Sequence, residues 1–407
     1  MKVNRRTFLG AVATTALSAS LPVKLEGKIK NINFTKDDRY DPWIEIDPEA
    51  LKFNVKQLHD LSGKSPILAV VKNNAYGLGL ENTAKILDEL PEIVGFADLK
   101  TDDCLSLRKS GIKKPILMMG MTTEEALYDL VQNDIQPGIY QKDSCKLLEA
   151  ATKNLGKSIK VHLYIDTGMS RMGIPYHDAL PWISDISASK TITVVGSFMS
   201  FTEDPDFDKE QLNRFLQLAK NATSAGANMG KLHAASSNGI YHLPEARLDM
   251  VRPGIGIYGA YPTYPGMEKK IKPLKVAYRL CARVVRVEKM RKGDSVSYGR
   301  NFIADKPTWI ATLPVGHADG YLRKAVMGAR IMIGDKLYPV IGAVSASHTI
   351  VEVGSEKSVN IGDKAILVGP DHPEINPSYI SEKLGVSVYD ILMHMSARLP
   401  KMLFEPI

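Results

Sequence analysis

The sequence predicts a TIM-like α/β barrel followed by a separate, mostly β domain. Three observations carry that expectation. Between Trp43 and about residue 270, short apolar runs alternate with amphipathic ones in units of about 20 to 40 residues, the rhythm of a parallel sheet covered by helices. Roughly eight of the apolar runs are strand candidates, enough to favour a closed barrel over an open sheet. After about residue 270 the helical runs give way to strands separated by Gly/Asp turns such as Gly293-Asp294, Gly334-Asp335 and Gly362-Asp363. A chain of 407 residues is long enough for two domains with sizeable cores. The expected divisions are a leader at 1–20, a linker at 21–42, a barrel at 43–270 and the β domain at 271–407.

In chain order, Arg5-Arg6-Thr7-Phe8-Leu9-Gly10 precedes the apolar stretch Ala11 to Leu17 and the small residues Ser18-Ala19-Ser20. These are the charged, apolar and cleavage regions of an export signal. The paired arginines resemble a bacterial twin-arginine signal, whose pathway carries folded proteins, so export machinery is an expected partner and the periplasm the expected location. No other stretch reaches the apolar length of a membrane span, so no stable membrane anchor is expected. Residues 21–42 are polar and Lys/Asp-rich.

Trp43 to Ile46 alternates as a strand and could join either domain. Asp47 and Pro48 then form a helix start, with a stripe of Ala50, Leu51, Phe53, Asn54 and Leu58. Leu68 to Val71 is a buried strand ending at Lys72. Further strands are expected at Ile93–Ala97, Ile116–Met119, Gly138–Tyr140, Lys160–Ile165, Thr191–Phe198, Leu232–Ala234 and Val251–Tyr258. Helices fall between them at Leu80–Leu90, Thr101–Lys109, Thr122–Val131, Cys145–Ala151 and Asp208–Ala225. In the second domain, strands are expected at Val276–Glu288, Thr308–Pro314, Ala329–Ile333, Leu337–Val344, Thr349–Val353 and Lys364–Val368.

Composition narrows the function classes. The formal charge is +7, falling to +4 without Lys2, Arg5 and Arg6, and no basic block interleaves with aromatics, so nucleic-acid binding has little support. Cys104, Cys145 and Cys281 are too widely spaced for a metal cluster or a disulfide framework, and burial as small hydrophobes is their expected fate. No metal is expected.

The chemistry concentrates on Leu68-Ala69-Val70-Val71-Lys72-Asn73-Asn74-Ala75-Tyr76-Gly77-Leu78-Gly79. A lysine at the end of a buried strand is held against surroundings that favour its neutral amine, the form that makes a Schiff base. The same lysine also reads as one that snorkels from a strand end. A phosphorylated aldehyde cofactor would need a phosphate site elsewhere. Ser236-Ser237-Asn238-Gly239 and Arg252-Pro253-Gly254-Ile255-Gly256 supply hydroxyls and glycine-freed backbone N–H groups suited to a phosphate monoester, although each alone reads as a turn. Arg171, after Asp166-Thr167-Gly168-Met169-Ser170, and Tyr298, in Val296-Ser297-Tyr298-Gly299-Arg300, also have plain surface or turn readings.

Together these segments resemble the alanine racemase family of fold-type III pyridoxal-phosphate enzymes. The resemblance runs from Trp43 to about Pro400 through AVVKNNAYGLG, VHLYIDTGMSRMG, HAASSNG, DMVRPGIGIYG, VSYGR, LPVGHADGYLR and SARLP, in that order. It implies pyridoxal 5'-phosphate on Lys72, an amino-acid substrate, and a head-to-tail homodimer in which Tyr298 of one copy faces Lys72 of the other. The two would act as bases on opposite faces of the substrate. It places Arg252 at the pyridine nitrogen, Tyr76, Ser237, Gly254 and Ile255 at the phosphate, and Arg171 beside the catalytic tyrosine.

The departures from the family pattern bear on specificity. Tyr164 stands where many members have a carbamylated lysine, and Ser200 where a histidine often backs the pyridine arginine. His317 replaces a tyrosine at the substrate entrance. Ala346 and Ser347 replace a methionine and an aspartate near the substrate carboxylate, and Ala397 replaces a tyrosine near the phosphate. The expected activity is therefore racemisation of alanine and of larger or more basic amino acids. Two other readings stay open: a different pyridoxal-phosphate reaction on the same fold, and a noncatalytic binding protein.

Overall fold

The computed structural model describes residues 41–121, 123–261 and 273–404. The expected export signal and all but the end of the linker lie outside the described residues.

The strands of the first unit are β2 (Ile67–Val70), β3 (Ile93–Asp98), β4 (Ile116–Met118), β5 (Gln136–Ile139), β6 (Ile159–Asp166), β7 (Ile174–Pro175), β8 (Ile192–Phe198) and β9 (Lys231–His233), numbered after β1 (Trp43–Ile46). The order β2-β3-β4-β5-β6-β8-β9 is parallel throughout, with β7 as a short ribbon on β6. Residues 251–253 close the ring. Leu68 N–H donates to Val251 O and Val70 N–H to Pro253 O, while Arg252 N–H on the other side donates to Ala235 O. Apolar side chains of these strands pack on helices such as Pro48–Leu61 and Leu80–Asp88, whose buried stripes the helical spacing anticipates. Asp47 caps the first of them through N–H bonds from Glu49 and Ala50.

Two expected strands depart from their predictions, and the simpler case is Val276–Glu288, which is two strands, Tyr278–Arg283 and Arg286–Met290, with different neighbours. Val251–Tyr258 is extended only at its start and becomes a 3-10 turn over Ile255–Tyr258. The physical reason is a hydroxyl from another segment: Ser237 Oγ accepts the N–H groups of both Gly254 and Gly256, which takes them out of any strand ladder.

The second unit contains β10 (Tyr278–Arg283), β11 (Arg286–Met290), β12 (Ser295–Val296), β13 (Phe302–Ile303), β14 (Thr308–Leu313), β15 (Arg330–Ile333), β16 (Lys336–Ile341), β17 (Thr349–Gly354), β18 (Lys364–Val368) and β19 (Lys401–Leu403). Its large sheet runs β11-β14-β17-β16-β15-β18-β10-β1-β19. Strand β1 thus sits in the β domain, antiparallel to β10 and parallel to β19, rather than in the barrel. Burial explains why: Glu45 on β1, bonded within its own strand by Trp43 Nε1 (3.0 Å), is the buried acceptor for Arg279 Nη1 (3.0 Å) and Lys364 Nζ (2.6 Å), charged partners on β10 and β18 of this sheet. The helix Val388–Met393 returns to the barrel. It brings the Tyr389 ring to 6.5 Å from Tyr76 and Met393 Sδ to 3.5 Å from Asn73 Nδ2.

Candidate active site

Lys72 leaves the end of β2 into an unusual backbone. Asn73, Asn74, Ala75 and Tyr76 all have φ between 51° and 57°, so four consecutive residues turn left-handed. For residues with a Cβ this costs about 1–2 kcal/mol each, and asparagine tolerates it best. The strain is held by fixed contacts: Asn74 Oδ1 accepts the Leu80 N–H at 2.9 Å, and Ala75 and Tyr76 are buried. The Lys72 amine is held below its usual pKa, first by burial and then by the positive charge of Arg171, with Asp98 partly offsetting both. That direction favours the neutral, nucleophilic amine.

Beside it lies a cradle for an anion. Ser237 Oγ sits 3.0 Å from Gly254 N and 3.1 Å from Gly256 N and fixes the turn that carries Ile255. A Cβ on residue 254 would fall 2.1 Å from Tyr76 Oη, so only glycine lets the phenol reach this turn. Tyr76 is clamped by stacking on Tyr258 at 4.6 Å, and Tyr258 Oη donates to Val70 O at 3.2 Å. Asn238, next to Ser237, keeps a buried amide nitrogen with no partner. A hydroxyl, a phenol and an unsatisfied donor around a glycine turn suit the phosphate of a pyridoxal cofactor, and Lys72 suits its aldehyde.

Arg252 is buried and engaged through both of its Nη atoms. Its Nη1 donates to the His233 carbonyl and meets His233 Nδ1 at 3.0 Å; its Nη2 donates to Met199 O at 2.7 Å, and its guanidinium lies over the Phe198 ring. Burial lowers its pKa to about 10, which leaves it charged near neutrality. The histidine that backs this arginine is His233, whereas Ser200 Oγ bonds Tyr164 Oη at 3.0 Å, because Tyr164 stacks on Phe198 and brings its phenol to the serine.

Most of the remaining expected residues lie on the β domain, Arg171 on the barrel. Tyr298 is 77% exposed in a single chain, on a 3-10 turn after β12. Ser297 Oγ donates to Ala343 O (3.3 Å), and His317 N and Ala318 N donate to the carbonyls of Ser345 and Ala346. Tyr298, His317, Ala346 and Ser347 therefore belong to adjoining turns on one rim. His317 Nε2 also accepts from Arg323 Nη2 at 2.7 Å. Arg171 and Ala397 are exposed, each on a turn after an element.

Sequence reasoning missed Gln136, His162, His233 and Asp98. All four are buried polar residues on or beside apolar strands, and that was the available signal. Asp98, at the end of β3, accepts the Leu99 and Lys100 N–H groups through Oδ1, while buried Oδ2 has no hydrogen bond. Burial raises its pKa to about 6, against the opposing pull of the Lys100 and Leu99 N–H groups. Among the described residues no cluster of His, Cys, Asp and Glu could hold a metal; Cys104 and Cys281 are buried, Cys145 is half-buried, and all three are free.

Comparison with known proteins agrees with this geometry. Residues 46–262 match the family model "Alanine racemase, N-terminal domain", and 277–403 match "Alanine racemase, C-terminal domain". An alanine racemase of Carboxydothermus hydrogenoformans is 33% identical over 88% of this chain and 98% of its own length. One from Methanococcus maripaludis is 34% identical over 88% and 97%. Among solved structures, the Clostridium difficile alanine racemase superposes with a TM-score of 0.83 at 28% identity, covering 90% of this chain and 96% of that one. The Bacillus anthracis alanine racemase with bound L-Ala-P gives 0.81 at 26% identity, covering 90% and 96%.

Proposed function

The chain belongs to the alanine racemase family of pyridoxal-phosphate-dependent isomerases, and on that premise we propose that it interconverts the enantiomers of alanine and of larger amino acids by two-base proton transfer. The observation that carries the reading is Lys72, with its lowered pKa, beside the cradle of Ser237, Gly254 and Tyr76. When bound, the cofactor acts as an electron sink that makes the substrate Cα–H acidic. Lys72 Nζ takes or returns that proton on one face, and the phenol of Tyr298 from a second copy does so on the other. Because Tyr298 is exposed in one chain, a head-to-tail homodimer gives it a site to complete. Arg171, placed closely enough to lower the Lys72 pKa, would hydrogen-bond that phenol and help it ionise. Arg252 would hold the pyridine nitrogen as a donor that stays charged, which would keep that nitrogen largely unprotonated and disfavour transamination.

Broad specificity is supported by the short side chains of Ala346 and Ser347 on the rim, by His317 held by Arg323, and by Tyr164 in place of a charged lysine. Export to the periplasm through the twin-arginine route is part of the same reading and rests on Arg5 and Arg6. Cell fractionation with Arg5 and Arg6 changed to lysine tests it: retention of the chain in the cytoplasm is expected.

The central test is α-proton exchange in heavy water across alanine, serine, methionine, lysine and arginine, with pyridoxal phosphate supplied. Exchange in both enantiomers of several of these is expected. Activity confined to alanine would remove the broad reading. A borohydride-trappable cofactor without exchange in any amino acid would instead make the chain a binding protein.

A further inference from the structure

Arg252 is the near end of a longer buried chain. His233 Nε2 lies 2.8 Å from His162 Nδ1, and His162 Nε2 lies 3.0 Å from Gln136 Oε1. The four residues come from the closing segment, β9, β6 and β5, so the chain crosses the barrel interior. None of the four is more than slightly exposed. Room for it is built into the backbone: a Cβ on residue 196 of β8 would fall 2.5 Å from His162 Nδ1, and that position is glycine.

The proton positions along this chain follow from its ends. A guanidinium only donates, so His233 Nδ1 must accept from Arg252 Nη1. A neutral His233 then carries its proton on Nε2 and donates it to His162 Nδ1. His162 in turn carries its proton on Nε2 and donates to Gln136 Oε1, the orientation assigned to that amide. Every member is satisfied in one direction only, and a proton added to either ring would set donor against donor. Burial and the Arg252 charge push His162 down to about 3 and His233 well below its usual range. The charged neighbour acts in the same sense: Arg252 repels a charge on either ring, His162 does so for His233, and the Tyr164 ring is separated from His233 by Phe198, which stacks on both.

We propose that Gln136, His162 and His233 are positioning residues, a one-directional neutral hydrogen-bond chain that fixes the orientation and charge of Arg252 from the far side of the barrel. The proposal rests on the reading of Arg252 as the residue that faces the pyridine nitrogen. Arg252, which can only donate, sets the polarity, and Gln136 completes it, because only an acceptor at that end lets His162 hold the tautomer that His233 requires. A leucine there removes the acceptor at nearly the same size. His162 then either buries an unpaired N–H or moves its proton to Nδ1, opposite the His233 donor.

The test labels histidine with 15N in the full-length chain and reads ring tautomers from pH 5 to 8, first without cofactor and then with pyridoxal phosphate. Two buried rings in the Nε2–H form that do not titrate are expected; either ring protonated or in the Nδ1–H form overturns the proposal, and this arm needs no variant. In Gln136→Leu the His233 ring signals should shift in the cofactor-free protein, and the ratio of transamination to racemisation should rise at least about threefold with KM little changed. Unchanged His233 signals and an unchanged ratio would also overturn it. Failure of the underlying reading has a different signature: the wild-type tautomers are as expected, but His233 does not respond when pyridoxal phosphate binds.

Discussion

The barrel mouth and the β-domain rim, which the proposed function joins in one site, are held in opposite conditions. At the mouth, Lys72, Tyr76, Ser237, Gly254 and Arg252 are held by contacts within one chain, and most are buried. On the rim, Tyr298 is exposed, and the residues beside it are tied mainly to one another's backbone. The first is preorganised for a cofactor that must not move. The second is an exposed surface that, in the proposed dimer, becomes a wall when another copy covers it. On that reading precision lies in the half that holds the cofactor, and the departures proposed to widen substrate choice, Tyr164 apart, collect on the other half.

The comparison can be broken most severely at Lys72. Lys72→Ala should lower turnover by about 10⁴-fold or more and abolish borohydride trapping, measured by activity and peptide mass. Tyr298→Phe should separate the halves. Proton transfer on one face falls by about 10²–10⁴-fold while trapping on Lys72 is unchanged, and preserved exchange of both enantiomers would contradict the role of Tyr298. Mixing the two inactive proteins under conditions that exchange subunits should restore about a quarter of wild-type activity, since a mixed head-to-tail dimer holds one intact site. No recovery would place both groups in one chain.

Smaller effects probe the mouth alone. Gly254→Ala drives a Cβ into Tyr76 Oη and should cost about 1–3 kcal/mol of stability, seen in urea unfolding, together with weaker cofactor binding. Asp98 gives a pH signature. Its folded pKa of about 6 lies above the ordinary value of 3.8, so its contribution is fully present below the lower value and is lost as pH rises through the upper one. Across that window the cofactor-free protein should lose at most about 3 kcal/mol from this group. Unfolding curves for Asp98→Asn should lack this slope; an unchanged slope would mean that another group titrates there.

Much of this was legible beforehand. Strand–helix alternation gave the barrel, and Gly/Asp turns gave the β domain, because burial periodicity and turn chemistry are local properties. The positions of Lys72, Ser237, Gly254 and Tyr298 were legible because their neighbours form long ordered motifs. The membership of β1 was not, since the Glu45 partners Arg279 and Lys364 lie more than two hundred residues away in the chain. Nor was the chain from Arg252 to Gln136: its members are scattered over four segments, and each alone reads as an isolated polar residue in an apolar run. The bend at Gly254 was missed because a hydroxyl from another segment makes it.

The left-handed run after Lys72 changes what the motif around it means. Asn73 and Asn74 look like side chains chosen for contacts, yet they share a tolerance for backbone of the opposite hand, which Ala75 and Tyr76 adopt at a cost. For a few residues the chain follows the path that its mirror image would take freely. Replacement by valine or isoleucine there should therefore fail even where space exists, whereas glycine at Ala75 should be accepted. The segment's repertoire is limited by chirality rather than by volume.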